Sequence, residues 1–318
     1  MNSYRAPSWL PGGHAQTLWP LLIKPQPLPL RRERWATPDG DFIDVDHLDG
    51  PPGSPLLVLF HGLEGSSRSH YAIATARACQ QAGWRFVLPH FRGCSGELNR
   101  RPRAYHSGDS TEIDWILRRL LAADGGRPLH AAGVSLGGNA LLKWAGERGA
   151  SATEVVSGVA AVCPPLDLAA CGHHLANGFN RLYTQHFLAT LKARSADRLA
   201  LFPGLFDESR MRRASNLFQF DDVVTGPIHG FAGADDYWAR SSAKPWLAAI
   251  EVPALVINPK NDPFLPARHL PRPSEVGPRV RLEQPADGGH VGFVSGSFPG
   301  NLDWLPQRLL HFFLSATS

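Results

Sequence analysis

The chain has 318 residues, 43% of them hydrophobic and 19% charged, with a formal net charge of +4, a balance that excludes disordered and fibrous proteins. No apolar run approaches the ~20 residues of a membrane span, and the opening MNSYRAPSWL lacks the basic and apolar regions of a signal peptide. A cytoplasmic protein without an integral membrane segment is therefore expected.

The four cysteines, Cys79, Cys94, Cys163 and Cys171, form no C-x-x-C pair and have no histidines at metal-ligand spacing. They read as reduced structural thiols, with no metal site and no cofactor. The basic clusters Arg100, Arg101, Arg103 and Arg210, Arg212, Arg213 come with no nucleic-acid-binding motif, so surface ion pairs are expected and a nucleic-acid partner is not.

Residues 1 to about 32 are Pro-rich and irregular. Strands are predicted at Arg34–Ala36 and Phe42–His47, joined by the turn Pro38-Asp39-Gly40. Pro55–Phe60 is a run of the kind buried on both faces of a sheet. It ends at His61-Gly62-Leu63-Glu64-Gly65. A helix from about Ser69 to Ala82 and a strand at Trp84–Pro89 follow. Asp109 is predicted as a helix N-cap with Glu112 as its reciprocal partner, and the helix runs to about Ala123. Leu129–Gly133 is a strand, Leu136–Arg148 a helix and Val155–Val162 a strand. Val252–Asn258 and Val280–Glu283 complete the strands, and Leu302–Leu314 is the last helix. This alternation implies an α/β fold with one doubly wound, mostly parallel sheet. Between about Pro165 and Lys244 the rhythm breaks. Phe179, Leu182, Tyr183, His186, Phe187 and Leu191 fall at helical spacing, which predicts a helical cap, residues 165–244, inserted into a single domain spanning residues 1–318.

Gly133-Val134-Ser135-Leu136-Gly137 matches G-x-S-x-G between a predicted strand and a predicted helix. There a sharp turn would lift the Ser135 hydroxyl above the sheet edge, towards the positive end of the helix dipole. A side chain at Gly133 or Gly137 would collide with neighbouring backbone. A serine hydroxyl needs an adjacent base at neutral pH, and in this architecture the order is Ser, acid, His. His290 follows the last strand and the flexible Asp287-Gly288-Gly289, and is the candidate base; His173, His174, His186, His229 and His269 lie in weaker contexts. Asp262, just past the strand Val252–Asn258, is the candidate acid. Asp287 is its rival, with Asp235 and Asp236 behind. The negative charge of a tetrahedral intermediate calls for two backbone donors, and the candidates are the N–H groups of Leu136 and Leu63. Glu64 reads as an exposed carboxylate near the mouth of the site, with contact to substrate as the alternative.

Further segments carry a resemblance: Pro11-Gly12-Gly13-His14-Ala15-Gln16-Thr17, His61 to Ser66, Phe91-Arg92-Gly93-Cys94-Ser95-Gly96, Gly133 to Asn139, Asn261-Asp262-Pro263 and Gly288 to Phe293. Together they resemble the YheT-like hydrolases, family 4 of the AB-hydrolase superfamily. The resemblance implies an α/β-hydrolase fold, carboxylesterase or lipid-ester hydrolase activity, and a triad that falls on Ser135, Asp262 and His290. It gives no role to His14 or Arg92, which read as structural. Some relatives carry an N-terminal membrane anchor; none is expected here.

The expected function is thus hydrolysis of short- or medium-chain carboxylic esters or small lipid esters through an acyl-enzyme on Ser135. Thioesterase and lactonase activity remain open on the same triad. An acyltransferase is less expected, because Ser295 stands where the H-x-x-x-x-D pattern after His290 needs an acid. A binding module would predict a broken triad. Phe179, Phe187, Phe202, Phe206, Phe218, Phe220, Tyr237 and Trp238 are candidates for lining an acyl channel or for ordinary packing.

Overall fold

A computed structural model describes residues 3–23 and 25–316. Among these, eight strands form one sheet. They are β1 (Arg31–Ala36), β2 (Phe42–Leu48), β3 (Leu56–Phe60), β4 (Arg85–Pro89), β5 (Leu129–Val134), β6 (Val156–Val162), β7 (Ala254–Ile257) and β8 (Val280–Glu283). Their order is β1-β2-β4-β3-β5-β6-β7-β8, with β3 to β8 parallel and β1 and β2 antiparallel at one edge. A short N-terminal helix, α1 (Gly13–Leu18), precedes the sheet. The crossovers between strands carry α2 (His70–Gln81), α3 (Ser110–Ala123) and α4 (Leu136–Arg148).

The continuous apolar strands follow from burial on both faces. In β3, Val58 and Phe60 pack against Ile113 and Ile116 of α3 and Leu141 of α4. The alternate residues Leu57 and Leu59 share the opposite core with Ala72 and Ala76 of α2. Each such fully buried side chain stabilises the fold by about 1.5–3 kcal/mol relative to exposure.

The edge strand β1 starts three residues before the predicted Arg34, within a charged stretch that has no apolar signal. Cross-strand ion pairs account for it. Arg32 lies directly opposite Asp46 and Arg34 opposite Asp44, each pair meeting at 2.7 Å. Such opposed charges stabilise antiparallel pairing, and a charged edge resists pairing with other chains.

Between β6 and β7 the regular elements are all helical: α5 (Leu168–Leu175), α6 (Arg181–Leu201), α7 (Glu208–Arg213), α8 (Leu217–Phe220), a π-helical turn (Asp221–Thr225), α9 (Gly226–His229) and α10 (Ala234–Ser241). The buried Asn139 of α4 ties this segment to the sheet domain. Its amide donates to the carbonyls of Ser107 and Ser241, and its carbonyl accepts from Ala243 N–H. The last helix, α11 (Trp304–Ala316), adds Leu309 and Phe313 to the core beside α2.

Two local expectations change. Asp109 does cap α3, accepting from Glu112 N–H, but the Glu112 side chain does not return the bond. It turns inward, accepts from Arg92 Nε at 2.6 Å, and joins a buried group in which Arg92 also binds Asp39 and Asp41. Burial and the nearby Asp109 push the Glu112 carboxyl up to about 7. Arg92 of the Phe91–Gly96 motif is thus a structural cation. Half of the six arginines in the basic clusters are ion-paired, Arg103 with Asp109, Arg210 with Asp222 and Arg212 with Glu208.

Candidate active site

Parallel strands present their carboxyl ends along one edge, so the loops after β3, β5, β7 and β8 converge there. Ser135 follows β5 and caps α4 with φ 51° and ψ −119°, a positive-φ conformation costly for a non-glycine residue. The packing forces this turn. A Cβ on Gly133 would strike the backbone of Gly137 and Gly138, and one on Gly137 would strike the carbonyls of Phe60 and His61.

Asp262 comes from the loop after β7 and His290 from the loop after β8. His290 Nδ1 lies 2.9 Å from Asp262 Oδ2, and its Nε2 lies 3.1 Å from Ser135 Oγ. With Nδ1–H donating to the carboxylate, Nε2 is left to accept the serine proton. Asp262 is 4% exposed, and its Oδ1 also accepts from Phe264 N–H at 2.8 Å. The Phe264 ring stacks on the imidazole at 3.9 Å, restricting its rotation. The rival Asp287 accepts from Asn261 Nδ2 instead, and Asp236 pairs with Arg240.

Leu63 follows β3, and its neighbour Gly62 packs against Ser135 Cβ. The adjacent N–H groups are occupied: Gly62 donates to Tyr71 Oη and Glu64 to Tyr105 Oη, each at 2.9 Å. Among the described residues the N–H groups of Leu63 and Leu136 have no protein acceptor. Glu64 departs from its predicted exposure. Its side chain is 9% exposed and pairs with Arg194 of α6 at 3.1 Å.

Several contributors carried no signal of their own in the sequence. Cys163, at φ 49° just after β6, accepts from Val291 N–H through Sγ at 3.2 Å. Burial and the neighbouring Asp262 hold its thiol well above the usual range. Cys163, Asp262 and His290 are the one set of His, Cys and carboxylate atoms among the described residues close enough to hold a metal, but those atoms are already engaged with one another and with backbone. The N-terminal motif supplies the largest group of supports. Gln16 Oε1 accepts from Gly288 N–H at 2.8 Å and Asn261 Nδ2 at 2.9 Å. Thr17 Oγ1 accepts from His290 N–H at 2.8 Å. His14 contacts Tyr183 Oη at 3.0 Å, linking α1 to α6. The shared G-G-H-A-Q-T segment was the available signal, but only the tertiary contacts show what it holds.

Ser135 stands where two cavities meet. One runs beneath the helical segment and is lined by Leu63, Leu136, Leu175, Phe187 and Phe220. The other is a more open groove. It is lined by His290, Tyr71 and Tyr183, and flanked by Leu21, Phe179 and Leu182, all more than half exposed.

A mostly parallel sheet, a strained Ser–helix turn and hydrogen-bonded Ser, His and Asp from the loops after β5, β8 and β7 define a hydrolase of the α/β-hydrolase class. The alpha/beta hydrolase fold family profile matches residues 55–297, and the chain belongs to that family, in its YheT-like branch. It is 39% identical to YheT of Escherichia coli, an esterase by name, over 93% of this chain and 88% of that one. It is 27% identical to human phospholipase ABHD3, over 98% of this chain and 78% of that one. The Pyrococcus furiosus esterase Pf2001 shares the fold, with a TM-score of 0.59 at 14% identity over 91% of this chain and 92% of that one.

Proposed function

We propose that the protein is a serine hydrolase that cleaves carboxylic esters through an acyl-enzyme on Ser135. The observation that carries this reading is the continuous hydrogen-bonded relay from Ser135 Oγ to His290 to the buried Asp262. Ser135 attacks the ester carbonyl while His290 Nε2 takes its proton. Asp262 holds the tautomer and stabilises the imidazolium. The N–H groups of Leu63 and Leu136 receive the oxyanion. His290 returns the proton to the leaving alcohol, and water repeats the sequence to release the acid.

His290 lines the open groove and not the enclosed cavity. The leaving alcohol, which receives its proton, therefore occupies the groove, and the acyl group lies beneath the helical segment. That segment acts as the cap of a single domain. Its largely apolar cavity and the exposed leucines beside the groove favour medium-chain acyl or small lipid esters. Esterases and lipases among the relatives support the same chemistry. The four cysteines are free and buried, in keeping with a reducing, cytoplasmic setting. Among the described residues no helix is long and apolar enough to cross a membrane.

A fluorophosphonate probe and a series of p-nitrophenyl esters of increasing acyl length test the reading. Wild type should label and turn over esters, and Ser135→Ala should do neither. Equal labelling or equal turnover by the two proteins would refute it.

A further inference from the structure

Three arginines line the enclosed cavity: Arg92, Arg194 and Arg198. Arg92 is neutralised by Asp39, Asp41 and Glu112. Arg194 is bridged to Glu64 and also donates to the Gly93 carbonyl. Arg198, on the last turns of α6, is different. The residue is 7% exposed, yet among the described residues its guanidinium has no hydrogen bond, ion pair or aromatic partner.

A buried cation without an anion is costly. Desolvation draws its pKa below the ordinary arginine value. The other acid on the cavity wall, Asp221, is taken up by Thr225 Oγ1 at 2.6 Å and Trp238 Nε1 at 2.8 Å. The same wall holds a second unmet group, His229, whose buried Nε2 has no partner. Apolar packing alone would not select such groups on the wall of a fatty-acyl pocket. A guanidinium offers a planar fork of donors that matches a carboxylate.

We propose that the acyl half of the substrate carries a carboxylate, bound by Arg198 inside the enclosed cavity, so that the enzyme takes half-esters of dicarboxylic acids. The inference rests on the acyl-side assignment above and names the substrate class of that site. Arg198 acts in it as a specificity-determining residue. The scissile ester sits at Ser135, the methylene chain lies against Leu175, Phe187 and Phe220, and the free carboxylate supplies the anion that the wall lacks.

The test compares mono-p-nitrophenyl esters of dicarboxylic acids with p-nitrophenyl alkanoates of matched length, on wild type, Arg198→Met and Arg198→Lys. Wild type should prefer the half-acid at one chain length. Arg198→Met should lower the ratio of kcat/KM for half-acid over alkanoate by about 30-fold or more, the scale for losing one partner of a buried charge pair. Arg198→Lys should restore part of that ratio, which a merely structural arginine would not require. Methionine removes an uncompensated buried charge, so the variant should fold, and fluorophosphonate labelling checks that it has. An unchanged ratio in a labelled Arg198→Met protein, or rejection of the half-acid by wild type at every length, overturns this proposal alone. Failure of wild type to label overturns the nucleophile assignment and this proposal with it.

Discussion

Replacing Gln16 by leucine should damage both stability and catalysis, although Gln16 touches none of the three triad side chains. Gln16 is 1% exposed. Its carbonyl accepts from Gly288 N–H at 2.8 Å and Asn261 Nδ2 at 2.9 Å, and its amide donates to Leu10 O at 2.9 Å. Leucine fills the volume but removes all three bonds. Asn261 Nδ2 keeps a second acceptor in Asp287, so two buried groups, Gly288 N–H and Leu10 O, are left without partners. At about 1–3 kcal/mol each, the loss is roughly 2–6 kcal/mol, a large part of the ~5–15 kcal/mol that holds a typical domain folded. The loops that carry Asp262 and His290 lose their common brace, and a displacement of about 1 Å can cost ~100-fold in rate. Urea unfolding followed by fluorescence, and ester turnover measured well below the unfolding midpoint, separate the two effects. Stability within ~0.5 kcal/mol of wild type, together with unchanged kcat, would refute the role given to this motif.

Two further outcomes are expected. Asp262→Asn should leave a folded protein with kcat reduced by about 10³–10⁴-fold, because an amide facing Nδ1 favours the tautomer whose Nε2–H cannot accept the serine proton; a loss below tenfold in steady-state turnover would count against Asp262. Stability should fall as pH drops from 6.5 towards 4. Burial lowers His61 and His229 to about 3 and His106 and His130 to about 4, so unfolding takes up protons there. Their stabilising contribution is complete above about 6.5 and is lost as pH falls through the folded values. Glu112 and Asp221, raised to about 7 and about 6, act in the opposite sense. His47, His70 and His174 are lowered as well, so near pH 5.5 the histidines outweigh the two acids and unfolding takes up protons. Urea midpoints that are flat or rise between pH 6.5 and 5 would contradict it.

The central strands were legible because burial on both faces writes an unbroken apolar run, as in Leu56–Phe60 and Val156–Val162. The start of β1 was not, because Arg31 and Arg32 belong to the strand through partners on β2 and not through their own apolar character. The same distinction runs through the site. Ser135, Asp262 and His290, which the fold brings within hydrogen-bonding reach, stand out as candidates because each lies at a marked place, a Gly-bounded turn or a loop just past a strand. Glu64 was misread as exposed because its partner Arg194 is 130 residues away on α6. Glu112 at the third position of a helix looks like half of a capping box until Arg92 is seen beside it. Arg198 stands out only by its lack of a partner, which no local pattern can show.

These contacts divide the site into two parts, which are tied together where Val291 N–H donates to Cys163 Sγ. Ser135, the proposed nucleophile, is fixed by the sheet, through its N–H donating to Val162 O and the close approach of Gly137 to Phe60. The loops of Asp262 and His290, the proposed acid and base, are fixed to each other through Asn261, Gln16 and Thr17. The two parts meet at the 3.1 Å contact between His290 Nε2 and Ser135 Oγ. A change in the N-terminal motif should therefore slow both acylation and deacylation, since each passes through the same histidine. A change at Arg198 should act only on which acyl group is accepted. The G-G-H-A-Q-T segment, nearly 250 residues before Asp262 in the chain, is then as much a part of this triad's geometry as the strands that carry it.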